Sequence, residues 1–338
     1  MQQLGMGQAI NQGLREEMER DAAVFLAGEG VGVGIHASPL LPTAGLLDTF
    51  GPKRVRDTPV SEAAIAGLAV GAAEAGLRPV VEIMFAPFLT LASDMIVNHA
   101  AKLRYLSGGK SSFPLVVRVK AGAGFGAGCQ HSHNLEAWLA HCPGLKVVMP
   151  STPADAKGLL KSAIRDPNPV VILEDMLLYF QFGPVPEGEH LVPIGPAEIK
   201  RPGRDVTVVA WSKMVGVALR AADRLAADGI EAEVVDLRTL APLDTATILA
   251  SATMQATISA EVLALDDGGL DDALAAYRRA IEIDPGSADT HSNIGAVYRA
   301  LGRFDEARAS YERAIALDGR HIRAWNNLGL LHDAQGRL

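Results

Sequence analysis

Glu62 lies in the window Asp57-Thr58-Pro59-Val60-Ser61-Glu62-Ala63-Ala64-Ile65-Ala66-Gly67. Ser61 is a capping-type residue, so Glu62 falls in the first turn of a helix. There a carboxylate either complements the helix dipole or takes part in proton chemistry, and this window alone favours the dipole. A second candidate is Gly122-Ala123-Gly124-Phe125-Gly126-Ala127-Gly128. It loosely fits a dinucleotide fingerprint, but no helix opens directly after it and no acidic residue stands about 20 positions on. Instead the loop runs into Cys129-Gln130-His131-Ser132-His133. A glycine loop that positions a histidine suits acid/base work near neutral pH. His131 and His133 have only Glu136 as a nearby carboxylate, a weak set for zinc. A third candidate, Ala163-Ile164-Arg165-Asp166-Pro167-Asn168-Pro169, reads as a turn between a helix and a strand. Its Asp and Asn oxygens and turn carbonyls also suit a hard cation.

The elements that must hold these residues alternate. Val24–Ala27, Val80–Met84, Leu115–Val119, Lys146–Met149 and Val170–Leu173 are short apolar runs that read as buried parallel strands. Ile10–Arg20, Glu62–Ala75, Phe88–Leu106 and Pro153–Arg165 read as helices between them. Alternating strands and helices predict an α/β fold with a mostly parallel sheet. After a Pro-rich linker, Gly183 to Pro202, comes a smaller unit: strand Val206–Ala210, helix Met214–Ala227, strand Glu233–Asp236 and a helix from Thr245 to Ser251. Two strands give too little core to stand alone.

The composition changes near Ser251 to Met254: all nine lysines lie at or before Lys213, and the basic residues after Met254 are nine arginines. The tail repeats with a period of 34. Gly268-Gly269-Leu270-Asp271-Asp272-Ala273 recurs as Gly302-Arg303-Phe304-Asp305-Glu306-Ala307, and Asn293-Ile294-Gly295 as Asn327-Leu328-Gly329. This pattern resembles the tetratricopeptide repeat, in about two and a half copies. Ala260 and Glu261 stand at degraded positions of the first copy, and the third stops after one helix at Leu338. The formal charge, 31 − 39 = −8, argues against a nucleic-acid or anionic-membrane surface. Cys129 and Cys142 are too few for a disulfide framework, and Met1 to Gln8 has no signal-peptide pattern, so the expectation is a cytoplasmic protein.

From about Gln8 to Thr253 the chain resembles the beta subunit of thiamine-diphosphate-dependent 2-oxoacid dehydrogenases, a group that includes the pyruvate, branched-chain and acetoin enzymes. The segments that carry the resemblance are Gly51-Pro52-Lys53-Arg54-Val55 through Gly67, Gly76 to Glu82, Asn98-His99-Ala100-Ala101-Lys102, Gln130-His131-Ser132, His141 to Val148 and Asp155 to Asp166. They turn the reading of Glu62 from a dipole residue to a catalytic one. The resemblance implies a transketolase-like pyrimidine-binding domain (1–182), a linker with a truncated transketolase C-terminal-like piece (183–253), and an all-α repeat tail (254–338).

It also implies roles. Glu62 would hydrogen-bond a ring nitrogen of the cofactor's aminopyrimidine, Phe88 would pack against that ring, and Glu29 would stand near it. His131 would face substrate and the incoming lipoyl group. Leu115, Ala163, Ile164, Asp166 and Asn168 would form a potassium site. Leu91 stands where some relatives carry a polar residue. The family's Gly-Asp-Gly motif, which holds the pyrophosphate and magnesium, is absent and belongs to a separate alpha subunit. The expected assembly is therefore an alpha2beta2 heterotetramer of pyruvate type that serves a lipoyl-bearing acyltransferase. The alternative is an inactive, truncated fusion whose repeats bind a partner peptide. At the junction, either the repeats cover the sheet edge, or that edge is exposed, or the join is an artefact.

Overall fold

The computed structural model describes residues 1–32, 41–124, 127–254, 274, 277–282, 284–321, 324–325, 327–329 and 331. In chain order the first elements are β1 (Gln2–Gly5), α1 (Met6–Arg20), β2 (Val24–Gly28), α2 (Leu46–Phe50), β3 (Val55–Asp57), α3 (Glu62–Glu74) and β4 (Arg78–Ile83). Then come α4 (Leu89–Ser93), α5 (Ala101–Leu106), β5 (Val116–Ala121), α6 (Glu136–Ala140), β6 (Lys146–Val148), α7 (Pro153–Arg165) and β7 (Val170–Asp175). The last are β8 (Phe182–Val185), β9 (Glu198–Arg201), β10 (Val206–Ala210), α8 (Lys213–Ala227), β11 (Ala232–Asp236), β12 (Thr239–Ala241) and α9 (Thr245–Met254).

Seven strands form the main sheet in the order β12-β6-β7-β5-β4-β2-β3. All neighbours are parallel except β12, which runs antiparallel to β6. Both faces are covered, as a parallel sheet requires. Alternate residues serve opposite sides: Phe25, Val81, Val117 and Val119 pack under α3 and the helical run after β4, while Leu26, Val80, Val116 and Val170 pack under α1 and α7. The α7 boundaries come from local chemistry. Thr152 Oγ1 accepts the Asp155 N–H at 3.1 Å, and Pro153 occupies the first turn, where its missing N–H costs nothing.

Besides adding the short strands β1, β3 and β8, the structure departs from the sequence reading in two larger ways. Phe88–Leu106 is not one helix: a 3-10 turn at Ala86–Phe88 leads into α4, a π-helical stretch at Asp94–Ala100 and then α5. Buried Ala92, Ile96 and Ala100 recur every fourth residue. That spacing drifts off one face of a 3.6-residue helix, and a widened turn absorbs the drift. The second departure is the smaller unit, which has three strands, in the order β10-β11-β9, rather than two. β9 (Glu-Ile-Lys-Arg) carries three charges, so no apolar run marks it. β12 leaves that unit and pairs with β6, so the unit borrows support from the main sheet.

β11 ends in a buried carboxylate. Asp236 accepts the Ser151 hydroxyl and lies 3.8 Å from Lys200 Nζ. Burial raises its pKa from 3.8 to about 6, against the opposing pull of the Ser151 hydrogen bond and the Lys200 charge. The native chain therefore holds this proton more tightly than the unfolded chain. The stability it contributes is full below about pH 3.8 and is lost as pH rises through about 6. Between about pH 4 and about pH 7, Asp236→Asn should gain up to about 3 kcal/mol on the wild type in urea unfolding. A difference that does not change with pH would refute this.

The chain divides into two compact units, Met1–Pro202 with Val208–Ile248, and Gly203–Thr207 with Leu249–Leu338. In the second, helices Ala288–Ala300 and Phe304–Leu317 pack as an antiparallel pair. Leu274, Tyr277, Ile294 and Val297 form one cluster, and Ala307, Tyr311 and Leu331 another. Gly295 faces the Tyr311 ring, and a Cβ there would lie 2.6 Å from Cε1. Gly295→Ala should therefore cost about 1–3 kcal/mol by overpacking. The loss should appear as faster amide exchange in Ala288–Leu317 but not in the parallel sheet. The degraded positions Ala260, Glu261 and Gly268–Ala273, the end at Leu338, and Phe125 and Gly126 of the glycine loop lie outside the described residues.

Candidate active site

Glu29, Glu62, Phe88 and His131 come from four consecutive strand ends. Glu29 is the residue after β2, Glu62 opens α3 after β3, Phe88 lies after β4, and His131 ends the glycine loop after β5. In open parallel sheets the carboxyl ends of the strands are where ligands bind.

Glu62 and Glu29 are both buried, 6% and 7% exposed, and their charges act on each other. Among the described residues Glu29 Oε1 has no hydrogen-bond partner. Its pKa is raised, first by burial and then by the Glu62 carboxylate, with Lys120 opposing and Glu82 adding. A buried, unpaired oxygen beside a second acid is a site for a protonated or hydrogen-donating ligand.

His131 packs edge-on against two phenyl rings. Its centroid lies 4.3 Å from Phe85 and 5.5 Å from Phe88, at interplanar angles of 78° and 84°. Sequence reasoning missed Phe85, although two phenylalanines three residues apart at a strand end were a usable signal. Among the described residues no three His, Cys, Asp or Glu side chains converge as a metal site. Leu91 is 60% exposed.

Behind the acids lies an ion network that the sequence did not reveal. Arg118 forks onto Glu174 at 2.7 and 2.8 Å and reaches Glu82 at 3.0 Å. Lys120 Nζ pairs with Glu82 Oε1 at 2.7 Å, and the Tyr179 hydroxyl donates to Glu174 at 2.5 Å. The register makes this possible, since Glu82 lies opposite Arg118 and Lys120 opposite Glu174. The signal available was the set of charges embedded in three neighbouring apolar strands: Glu82 in β4, Arg118 and Lys120 in β5, and Glu174 in β7.

The five cation-site residues gather where α7 ends and β5 and β7 begin. The Leu115 carbonyl accepts the Val170 N–H at 2.8 Å, that of Ala163 the Asp166 N–H at 3.2 Å, and that of Ile164 the Arg78 guanidinium at 2.8 Å. The Asp166 carboxylate is already held by Lys146 at 2.5 Å and by Asn168 at 2.9 Å. A cation here would therefore draw on the second lone pairs of carbonyls, which suit a hard, weakly held ion better than a divalent one.

A doubly covered parallel sheet with two buried acids, an aromatic pair and a histidine at its strand ends defines a transketolase-type pyrimidine-binding domain. Residues 2–181 match the transketolase pyrimidine-binding domain family, residues 195–278 the transketolase C-terminal domain, and residues 265–302 and 295–336 the TPR repeat. The chain is 53% identical over 248 residues to pyruvate dehydrogenase E1 component subunit beta-2, mitochondrial, of Oryza sativa subsp. japonica, covering 72% of this chain and 65% of that one. It is 49% identical over 245 residues to 2-oxoisovalerate dehydrogenase subunit beta of Bacillus subtilis (72% and 74%), and 49% over 253 residues to the human mitochondrial pyruvate dehydrogenase beta subunit (74% and 70%). The chain belongs to the beta-subunit family of the 2-oxoacid dehydrogenases, and it spans about two thirds of the length of these relatives. A split-gene transketolase, described as an inactive beta4 tetramer, shares the fold at a TM-score of 0.60 and 23% identity, over 75% of this chain and 79% of that one. These relatives correct the expectation of a cytoplasmic protein. The rice, Arabidopsis, pea and human proteins are mitochondrial, and the missing leader pattern carries no weight in a chain that spans part of its relatives. No described helix is long and apolar enough to cross a membrane.

Proposed function

We propose that this chain is the beta subunit of the decarboxylating component of a 2-oxoacid dehydrogenase complex, of pyruvate type. In this reading it decarboxylates a 2-oxoacid oxidatively and passes the acyl group to lipoamide on an acyltransferase component. It does so in an alpha2beta2 assembly that shares thiamine diphosphate between chains. The observation that carries the reading is the Glu29–Glu62 pair and the Phe85–Phe88–His131 set at the ends of four neighbouring strands. The residues fit an aminopyrimidine: the orphaned Glu29 Oε1 and the Glu62 carboxylate are buried acceptors for its N–H groups, and Phe88 offers an apolar ring face. When bound, thiamine diphosphate supplies the carbanion chemistry of decarboxylation.

Glu62 would hold the ring nitrogen and share its proton from the start of α3. Glu29, its pKa raised by burial and then by the Glu62 carboxylate, would hold its proton to higher pH than an ordinary glutamate. His131 would give or take the proton of the acyl-transfer step, its imidazole fixed by two rings. Magnesium would be held by the alpha subunit. Potassium would take the carbonyls of Leu115, Ala163, Ile164, Asp166 and Asn168. Residues 1–182, 183–253 and 254–338 are the three domains of this reading. The tail supports a second role, binding a peptide in the cleft lined by Ile294, Tyr298, Arg278 and Arg313.

The test is reconstitution. The purified chain, a competent alpha subunit, thiamine diphosphate and magnesium are assayed for dye reduction with pyruvate, branched-chain oxoacids or acetoin. Pyruvate is expected to be the preferred substrate. No turnover with any of them would sink the reading, as would tight thiamine diphosphate binding by this chain alone.

A further inference from the structure

Lys213 is the first residue of α8, in the short α/β piece beyond the linker, yet its side chain serves the loop that carries His131. Its ammonium donates to the Ala123 carbonyl at 2.7 Å and lies 3.2 Å from Asp175 Oδ2. Ala123 sits two residues past β5, and Asp175 is the last residue of β7. The other Asp175 oxygen accepts the Leu177 N–H at 2.9 Å, which fixes the carboxylate. Gly122 is pressed onto the same group. A Cβ there would fall 2.6 Å from Asp175 Oδ2, and its φ of +99° is one that side chains rarely adopt. The Gly122 N–H donates to the His133 carbonyl at 3.4 Å, closing the neck of the loop. Asp175 is almost wholly buried and Lys213 is 28% exposed at its side chain, so this is not an exposed surface pair of negligible worth.

We propose that Lys213 is a positioning residue for His131: it ties the neck of the glycine loop to the end of β7 and so fixes the imidazole between Phe85 and Phe88. The α/β piece after the linker thereby contributes to the site without touching substrate. Only the consequence for turnover rests on the function proposed above.

The test uses the full chain. His131 ring-proton NMR signals, assigned by their loss in His131→Gln, are displaced by the Phe85 and Phe88 ring currents. In Lys213→Met they are expected to move toward free-imidazole positions at temperatures well below unfolding, and in Lys213→Arg to stay near the wild type. In the assembled complex, Lys213→Met should lower acyl-transfer kcat by about 10–100-fold, with thiamine diphosphate affinity retained. Unmoved His131 signals in folded Lys213→Met would overturn the proposal. If that variant does not fold, Lys213→Gln gives the same reading. A wild-type complex with no activity would count against the proposed function, while the NMR shift would still decide the role of Lys213.

Discussion

Glu62→Ala is expected to abolish 2-oxoacid-dependent turnover in the reconstituted complex while leaving the chain folded. Positioned proton transfer contributes about 10²–10⁴ in rate, so the fall should be of that order. Its structural role is smaller. A carboxylate in the first helical turn contributes about 0.3–1 kcal/mol, and no hydrogen bond from the described residues depends on it. Thermal unfolding should therefore move by only a few degrees. Glu29 sharpens the test. Burial and the Glu62 charge raise its pKa, so it gives up its proton at higher pH than an ordinary glutamate. Glu29→Gln should keep more activity than Glu62→Ala and should change the acidic limb of the pH–rate profile. If Glu62→Ala retained more than about a tenth of wild-type turnover, the acid/base role would be wrong.

Arg118→Leu should produce the largest loss of stability. The guanidinium is fully buried between two carboxylates. Burial by itself would lower its pKa, but Glu174 and then Glu82 more than reverse this, so it stays charged. Removing it takes both guanidinium contacts from Glu174, which keeps the Tyr179 hydroxyl, and one cation from Glu82, which keeps Lys120. Breaking a buried pair from one side costs about 3–5 kcal/mol, because a charge is stranded in a medium that solvates it poorly. For a domain of this size that corresponds to a drop in Tm of roughly 10 °C. Arg118→Lys keeps the charge but loses the two-pronged contact with Glu174, and should fall between. A Tm within about 2 °C of wild type for Arg118→Leu would show that the network is not what holds β4, β5 and β7 in register.

The two substitutions separate what could be read along the chain from what could not. Apolar runs broken by helical patterns were enough for a parallel sheet, because each strand's burial on both faces is written into its own residues. Ser61-Glu62 marked a helix start, the glycine run marked a loop before His131, and the 34-residue period marked the repeats. All of these are local signals: periodicity, capping and backbone freedom act within a few residues. The short strands β1, β3, β8, β9 and β12 escaped, since segments of three or four residues without an apolar run become strands only when a distant partner offers its ladder.

The site divides in the same way. Glu62 and His131 were visible as residues, and the family resemblance gave them roles. Their setting depended on register. Parallel pairing puts Glu82 opposite Arg118 and brings Lys120 toward Glu29, and the adjacent ends of β4 and β5 set Phe85 edge-on to His131. Likewise nothing near Lys213 in sequence announces that it grips a carbonyl 90 residues away. Sequence by itself determined which segments fold and which groups could carry protons. Tertiary structure decided which charges share a buried space, and so which of them keep their protons, because electrostatic energy depends on distance and burial, and neither exists until the strands have paired.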